Sequence, residues 1–194
     1  MKKLFLSVFA LSLLFSAGIN AQVYTIDDSH SAVLMKVKRF GLVNVVGRFG
    51  DVAGTITYDS DDLEATDLNI SVSVDSYTAN NPGGENSARG SAFLDAANHP
   101  TLRFQLIKTS VKDDVLNLTG NITIRGVTRE VEFPVRILGP AMDLPTRKQS
   151  IALNGVIQIN RLDFGVGPDR TLQDGREIIG NKVEILLEIL AISE

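Results

Sequence analysis

Apolar and polar residues alternate along most of this sequence after residue 22. The pattern is clearest in four stretches with apolar residues at alternate positions: Val33, Met35 and Val37; Leu68, Ile70, Val72 and Val74; Leu116, Leu118, Ile122 and Ile124; and Val131, Phe133, Val135 and Ile137. Successive side chains of a β-strand point to opposite faces, so the pattern predicts strands with one buried face. Eight such segments separated by turn signals predict an all-β sandwich or a closed barrel.

The predicted strands are joined by short polar turns, which favour antiparallel neighbours. They lie near residues 23–39, 46–58, 66–76, 100–109, 114–125, 128–138, 149–161 and 179–192. Loops are expected at 139–148 and 165–176, where Gly and Pro cluster. One short helical segment is expected near residues 86–97, covering one end of a barrel with Phe93 and Leu94 facing the core.

The first 21 residues have the order of a secretory signal peptide. Lys2 and Lys3 supply a positive start, residues 4–19 carry no charge, and Ala21 suits cleavage. The apolar run is shorter than the roughly 20 residues of a spanning helix, which argues against the alternative of an uncleaved anchor. We therefore expect a mature domain of residues 22–194, located in the periplasm or secreted.

Composition excludes several classes of function. Subtracting Lys2 and Lys3 from 19 basic residues leaves 17 against 23 acidic ones, a net charge of −6 for the mature chain. No basic patch suited to nucleic acid or to anionic lipid is evident. The chain has no Cys, so disulfides, a thiol nucleophile and a Cys-based metal site are excluded. About 170 residues can bury a core without such crosslinks, and one domain is expected.

The sequence has no recognisable catalytic set. Its two histidines, His30 and His99, are far apart and fit local backbone contacts better than catalysis or metal binding. It contains no His-Glu-x-x-His and no Gly-x-Ser-x-Gly motif. Asp163 and Asp169 flank a Gly-rich loop, which leaves a carboxylate-based enzyme as an alternative. These observations favour a binding protein with no metal and no cofactor other than a bound ligand.

The alternation also predicts which side chains line the interior. The residues that we expect along a cavity wall are aliphatic or aromatic: Val33, Met35, Val37, Phe49, Ile70, Val72, Val74, Phe93, Phe104, Leu118, Ile122, Phe133, Ile157, Ile159 and Phe164. Such a lumen suits an elongated apolar ligand, because each buried ligand methylene contributes roughly 0.8 kcal/mol. A small barrel can equally be filled by its own side chains, so periodicity leaves a ligand cavity and a solid core both open.

Five motifs in order resemble the YceI-like family of polyisoprenoid-binding proteins. They are Tyr24-Thr25-Ile26-Asp27 with His30-Ser31, Gly47-Arg48-Phe49, Ser91 to Asp95 followed by His99 to Phe104, Gly120 to Arg129, and Ile159 to Val166. The last strand, from Ile179 to Glu188, is also similar. The resemblance implies an exported, lipocalin-like, eight-stranded antiparallel β-barrel around an elongated apolar cavity. It further implies binding of a polyprenyl phosphate or an isoprenoid quinone.

The sequence departs from the family pattern at the end where a head group would lie. Arg39 stands where His is usual, and residues 86–90 replace an Asp-x-His-Leu sequence. Arg39 and Arg161 are our candidates for head-group contact, although Arg161 could instead pair with Asp163 at a barrel rim.

The function predicted from the sequence is therefore an exported protein that holds an isoprenoid-type lipid for transport, storage or sequestration. The alternatives are a structural or stress-linked barrel that acts through surface partners and, less favoured, an enzyme acting on a lipid or a small molecule. No nucleic-acid partner and no membrane span after cleavage are expected, and a homodimer is left open.

Overall fold

The computed structural model describes residues 21–113 and 115–194. The predicted signal peptide, residues 1–21, therefore lies outside the described residues apart from Ala21. The strands are β1 (Gln22–Ile26), β2 (Ala32–Arg39), β3 (Val43–Phe49), β4 (Val52–Tyr58), β5 (Asp67–Ser73), β6 (Tyr77–Thr78), β7 (Thr101–Lys112), β8 (Val115–Ile124), β9 (Val127–Met142), β10 (Gln149–Asn160) and β11 (Ile179–Ser193). One α-helix, α1 (Pro82–Arg89), lies between β6 and β7.

The strands form a closed antiparallel barrel, which confirms the predicted fold class. The barrel has eight strand positions around its ring, which we call staves. The ladder runs β1, β4, β5, β7, β8, β9, β10 and β11, and β11 pairs again with β1 to close the ring. β2 continues the stave of β1 alongside β11, β3 pairs with β2, and β6 pairs with β3. Two of the eight expected strands, 23–39 and 46–58, are thus each split into two segments, and the expected strand at 66–76 ends in a 3-10 turn that β6 follows.

The three splits lie at the same level of the barrel. A 3-10 turn at Asp28–His30 separates β1 from β2, residues 50–51 separate β3 from β4, and a 3-10 turn at Val74–Ser76 separates β5 from β6. The amide of Ser73 donates to the carbonyl of Asp51 at 3.0 Å, which joins two of these breaks. The buried Ser31 hydroxyl donates to the Leu190 carbonyl at 3.2 Å and fixes the third break against β11.

We call the end of the barrel with residues 40–42, 79–100, 125–126 and 161–178 the upper end. The lower end carries residues 59–66 and 143–148. Inward side chains of β8 to β11 share register positions, as in the pair Leu118 and Phe133 and the pair Ile157 and Ile185. The alternation read from the sequence therefore placed the correct faces of these strands toward the core.

The helix begins earlier than expected. Asn81 caps it by accepting from the Gly84 amide at 3.3 Å, and Pro82 occupies the first turn, where its missing N–H costs nothing. The helix ends at Arg89, and residues 91–94 and 96–98 form turns rather than the second half of a helix. Gly90, at the C-cap, does not adopt the left-handed conformation. Its amide donates to the carbonyls of Asn86 and Ser87.

One loop is shorter than predicted. The expected loop at 139–148 begins only after Met142, because β9 continues past a cis Gly139–Pro140 peptide and pairs with Ser150. Gly139 has φ +104°, a conformation that suits glycine, and the register with β10 shifts between Ser150 and Ala152. Across the described residues, no helix has the length and hydropathy needed to cross a lipid bilayer.

Candidate functional site

The lower half of the barrel interior is filled by the chain's own side chains. Its inward residues are at most 2% exposed: Tyr24, Ile56, Leu68, Ile151, Leu153, Ile189 and Ala191. Interiors packed in this way leave no space for a ligand without rearrangement. This half therefore fits the solid-core alternative and supports the fold.

The upper half is different. Met35 on β2 and Ile185 on β11 are register partners that face inward, and both remain partly exposed. Val37 and Val183 lie nearer the upper rim on the same strands, yet both are buried. Because the deeper pair is the more exposed one, we interpret its exposure as open space inside the barrel rather than at the open end.

Two inward-facing glycines make room for aromatic rings along this wall. A β-carbon at Gly47 would lie 2.2 Å from Cε2 of Tyr77, and one at Gly120 would lie 2.4 Å from Cζ of Phe104. Real β-carbons do not approach neighbours so closely, so each ring lies flat against the strand only because the position is glycine. The alternation missed this signal, since glycine reads as a gap in an apolar pattern.

The rings form two pairs on the wall. Phe49 and Tyr77 have centroids 5.0 Å apart, and Phe104 and Phe133 meet edge to face at 5.4 Å. Such pairs contribute roughly 0.5–1.5 kcal/mol beyond their burial, which fixes their geometry. Together with Met35 and the adjacent aliphatic residues they give the upper interior an apolar lining.

Tyr77 places a polar atom beside this space. In the described part of the chain its hydroxyl has no hydrogen-bond partner, and no buried side-chain nitrogen or oxygen there is left unsatisfied. The oxygen must therefore reach accessible volume. Burial raises the pKa of the Tyr77 phenol, and the charge of Glu85 raises it further, so the group stays protonated and can donate. The apolar alternation did not identify Tyr77, because this residue follows the 3-10 turn at Val74–Ser76.

Most of the predicted wall residues do face the interior. Those buried in the core are Val33, Val37, Phe49, Ile70, Val72, Phe104, Leu118, Ile122, Phe133 and Ile157, while Met35 and Ile159 are partly exposed. Leu118 is 0% exposed and is enclosed by protein. Position on the inward face is thus common to these twelve residues, but only Met35 and Ile159 among them are partly exposed.

Three predicted wall residues lie outside the regular strands. Val74 is buried in the 3-10 turn after β5, and Phe164 is buried in a second such turn at Arg161–Phe164. Phe93 belongs to the turns after α1, where its ring lies 2.5 Å from the position of a β-carbon at Gly167. Phe93 therefore packs on the loop that follows β10.

Arg161, a candidate for head-group contact, makes its hydrogen bonds within the protein. It is 4% exposed, and burial lowers the pKa of its guanidinium against the opposing charges of Asp169 and Glu177. Its acceptors are the carbonyls of Gly180 (3.1 Å), Val166 (2.7 Å), Pro168 (3.1 Å) and Ile179 (3.0 Å) and Oδ1 of Asn181 (2.8 Å). No ion pair with Asp163 occurs among the described residues, so Arg161 holds the loop onto β11.

Arg39, the other head-group candidate, is exposed at the upper end of β2. It is the register partner of Ile179, whose carbonyl accepts from Arg161, so the structure brings both arginines to one end of the barrel. The guanidinium of Arg39 lies over the ring of Phe40 at 4.7 Å. Only Arg39 of the two presents its charge to solvent.

The covering segments at the upper end are joined by Arg125. Its guanidinium donates to the carbonyl of Ser91 at 2.8 Å and to that of Gly165. Arg125 and Gly126 form the β8–β9 turn with positive φ, and the ring of His99 packs against Gly126. One arginine thus connects the segment after α1 with the loop after β10.

The carboxylates of the enzyme alternative do not gather in a cleft. Asp163 and Asp169 are both exposed, and neither lines either of two open surface grooves of about 420 and 500 Å³. Asp169 accepts from the side-chain amide of Asn181 at 3.3 Å. Within residues 21–113 and 115–194, no three His, Cys, Asp or Glu side chains converge as metal ligands would.

Comparison of the sequence with protein families gives one match across almost all of the barrel. The YceI-like domain matches residues 24–191. A UPF0312 protein of Pseudomonas paraeruginosa is 30% identical over 161 residues, which cover 81% of this chain and 84% of that protein. The match spans all eight staves.

Solved structures share the fold at lower identity. BcnA of Burkholderia cenocepacia superposes with a TM-score of 0.75 at 21% identity, over 86% of this chain and 99% of that one. A polyisoprenoid binding domain from Saccharophagus degradans, implicated in plant cell wall breakdown, superposes with a TM-score of 0.65 at 12% identity, over 89% and 99% of the two chains. The same barrel is therefore present in both.

Proposed function

Because the chain belongs to the YceI-like domain family, we propose that the upper half of its barrel binds an isoprenoid-type lipid. The observation that carries the proposal is the exposure of Met35 and Ile185, which are deeper than buried Val37 and Val183. The space beside them is lined by apolar side chains, so it favours a hydrocarbon chain over a polar ligand. The name of the Saccharophagus degradans domain, which shares this fold, supports the same ligand class.

The filled lower half limits how the ligand lies. An apolar tail enters from the upper end and stops above the layer of Leu153 and Ile189, which are at most 2% exposed. The head group then remains near the upper end, where Arg39 is exposed and the Tyr77 hydroxyl is available to donate. This arrangement suits a polyprenyl phosphate, for which Arg39 offers a forked donor, or an isoprenoid quinone.

The biological role that we propose is transport, storage or sequestration of this lipid outside the cytoplasm. The signal-like order of residues 1–21 supports export to the periplasm or beyond, followed by cleavage near Ala21. Sequencing the N-terminus of protein recovered from its producing cell tests this part separately. A mature chain that begins at Met1 would refute export by cleavage.

The direct test of lipid binding is extraction of the purified mature protein with organic solvent, followed by mass spectrometry. We expect one isoprenoid per barrel, and its mass identifies the head group. An empty extract from protein that unfolds cooperatively, and that also fails to take up added isoprenoid quinone or polyprenyl phosphate, would contradict the proposal. The same result would favour a barrel that acts through surface partners.

A further inference from the structure

We propose that the β2–β3 hairpin, residues 32–50, docks the upper end of the barrel on an anionic lipid bilayer. This differs from the expectation, drawn from composition, that no basic patch suits anionic lipid, because the hairpin contains Lys36, Lys38, Arg39 and Arg48 and no acidic residue. The rest of the mature chain is therefore strongly acidic, since the whole carries −6. A local basic surface on an acidic protein orients the molecule in the field of an anionic surface.

The tip of the hairpin is apolar and exposed. Leu42 is 72% exposed, Val43 is 60% exposed and Val46 on the outer face of β3 is 49% exposed. Phe40 has φ +54° and Gly41 +68°, so the chain reverses tightly here, and the side chain of Arg176 packs against Gly41. Apolar tips with basic flanks insert at the boundary between head groups and acyl chains.

Three of the four cations lie on the outer face of the hairpin, and Arg39 lies at the rim of the barrel. Lys36 is the register partner of Val46, and Lys38 is that of Asn44. Lys36 is held by Glu184 at 3.0 Å, but Lys38, Arg39 and Arg48 form no ion pair with any described residue. Lys38 thus points outward close to the tip, and Arg39 lies on the opposite face at the rim, beside its register partner Val43.

The same hairpin has an open edge to which a second copy is the rival occupant. β6 pairs only with Arg48 and Phe49, which leaves residues 43–47 without a strand partner on that side in the described part of the chain. A symmetric pair of these edges would be only five residues long, and it would supply no opposite charges for the basic side chains of the hairpin. Charge complementarity therefore favours an anionic bilayer over a second copy.

The position of the hairpin relates docking to the interior. Met35, which borders the open space, lies four residues before Arg39 on the same strand. The hairpin therefore places the entrance of the barrel at the membrane surface. Entry of a lipid from the membrane rests on the proposed lipid binding, whereas docking of the hairpin on the membrane does not.

Sedimentation with isoprenoid-free vesicles tests membrane docking separately from isoprenoid binding. We expect the protein to bind vesicles of phosphatidylglycerol and phosphatidylcholine in equal parts, and not pure phosphatidylcholine. Lys38→Gln with Arg39→Gln should weaken binding about thirtyfold, from about fivefold for each cation. The matched control is Arg147→Gln with Lys148→Gln at the lower end, which should bind as the parent does. Equal losses in both double variants, or no binding by the parent, would overturn the proposal.

A second measurement uses the absence of Trp from the chain. Leu42→Trp and Leu144→Trp each give a single fluorophore, at opposite ends and at positions 72% and 83% exposed in the parent. We expect a blue shift and quenching by brominated lipid only for Leu42→Trp. A shift of Leu144→Trp alone would overturn the proposal, as would a shift of Leu42→Trp that follows protein concentration without vesicles, which would indicate a dimer.

Discussion

The ring of Tyr77 lies across Gly47, so closely that a β-carbon at position 47 would stand 2.2 Å from Cε2 and 2.4 Å from the phenol oxygen. Gly47 belongs to β3 and Tyr77 to β6, and among the described residues these strands pair only at Arg48–Thr78 and Phe49–Tyr77. The contact between Tyr77 and Gly47 therefore joins β3 to β6, whose pairing is only two residues long.

Gly47→Ala should force this ring away from β3 and into the upper interior. Overpacking of this kind costs about 1–3 kcal/mol, so the free energy of unfolding should fall by that amount. Urea unfolding measures it, with Gly83→Ala as the control, since a β-carbon there meets only Asn81 Oδ1 at 3.6 Å. Equal stability of Gly47→Ala and the parent would show that the ring can move without cost.

Ile185→Phe should fill the space beside Met35 and reduce lipid retention. If the added ring displaces two ligand methylenes, the lost binding is about 1.6 kcal/mol, which is roughly tenfold in affinity. Titration with an isoprenoid quinone measures the change. Leu186→Phe is the matched control, because the adjacent residue faces outward and pairs with Leu34. Equal affinities of the two variants would refute the placement of the ligand.

Arg161→Lys should loosen the loop between β10 and β11. The ammonium group of Lys cannot reach five acceptors spread from Val166 to Asn181, and buried carbonyls left unpaired cost about 1–3 kcal/mol each. We expect a loss of about 2 kcal/mol and faster amide exchange in residues 162–178. Arg170→Lys in the same loop, where Arg170 is exposed, should leave both quantities unchanged.

The His30 side chain should make stability depend weakly on pH. Its Nδ1 lies 2.7 Å from Oδ2 of Asp27, and this hydrogen bond, then the charge of Asp27, raises the pKa of His30 above 6.5. Because the folded pKa is the higher one, the contribution is complete below pH 6.5 and is lost as pH rises through the folded value.

Thermal unfolding across roughly pH 5 to 8 measures this dependence. The difference in Tm between the parent and His30→Gln should be largest at the acidic end and shrink as pH rises. The side chain is 71% exposed, so the effect should be small and should weaken in high salt. A difference that grows with pH would contradict the sign.

The barrel was predictable because period-two patterning is local. Ile122, Phe133 and Ile157 face inward because each strand, once formed, must turn its apolar face to the core. The split of the first strand was not predictable. It depends on Ser31 bonding Leu190, and these residues are 159 positions apart in sequence.

The candidate site was predictable only in part, for a similar reason. The inward face includes Leu118 as well as Met35, and only packing across the barrel distinguishes an enclosed residue from one that borders open space. The sequence could not show that Arg161 bonds within the protein rather than to a ligand. Four of its five acceptors are backbone carbonyls, which every residue type has. Tyr77 was missed because its place on the wall depends on a glycine in another strand.

The breaks at residues 27–31, 50–51 and 74–76 lie in line across the wall, and we call this line the crease. Above the crease, β2 pairs with β11 along its length, whereas β3 and β6 are joined to the rest of the ladder only through β2 in the described part of the chain. Below it the ladder is continuous and the interior is filled. The wall is thus attached from one side alone in its upper part, beside the space that we propose for the lipid.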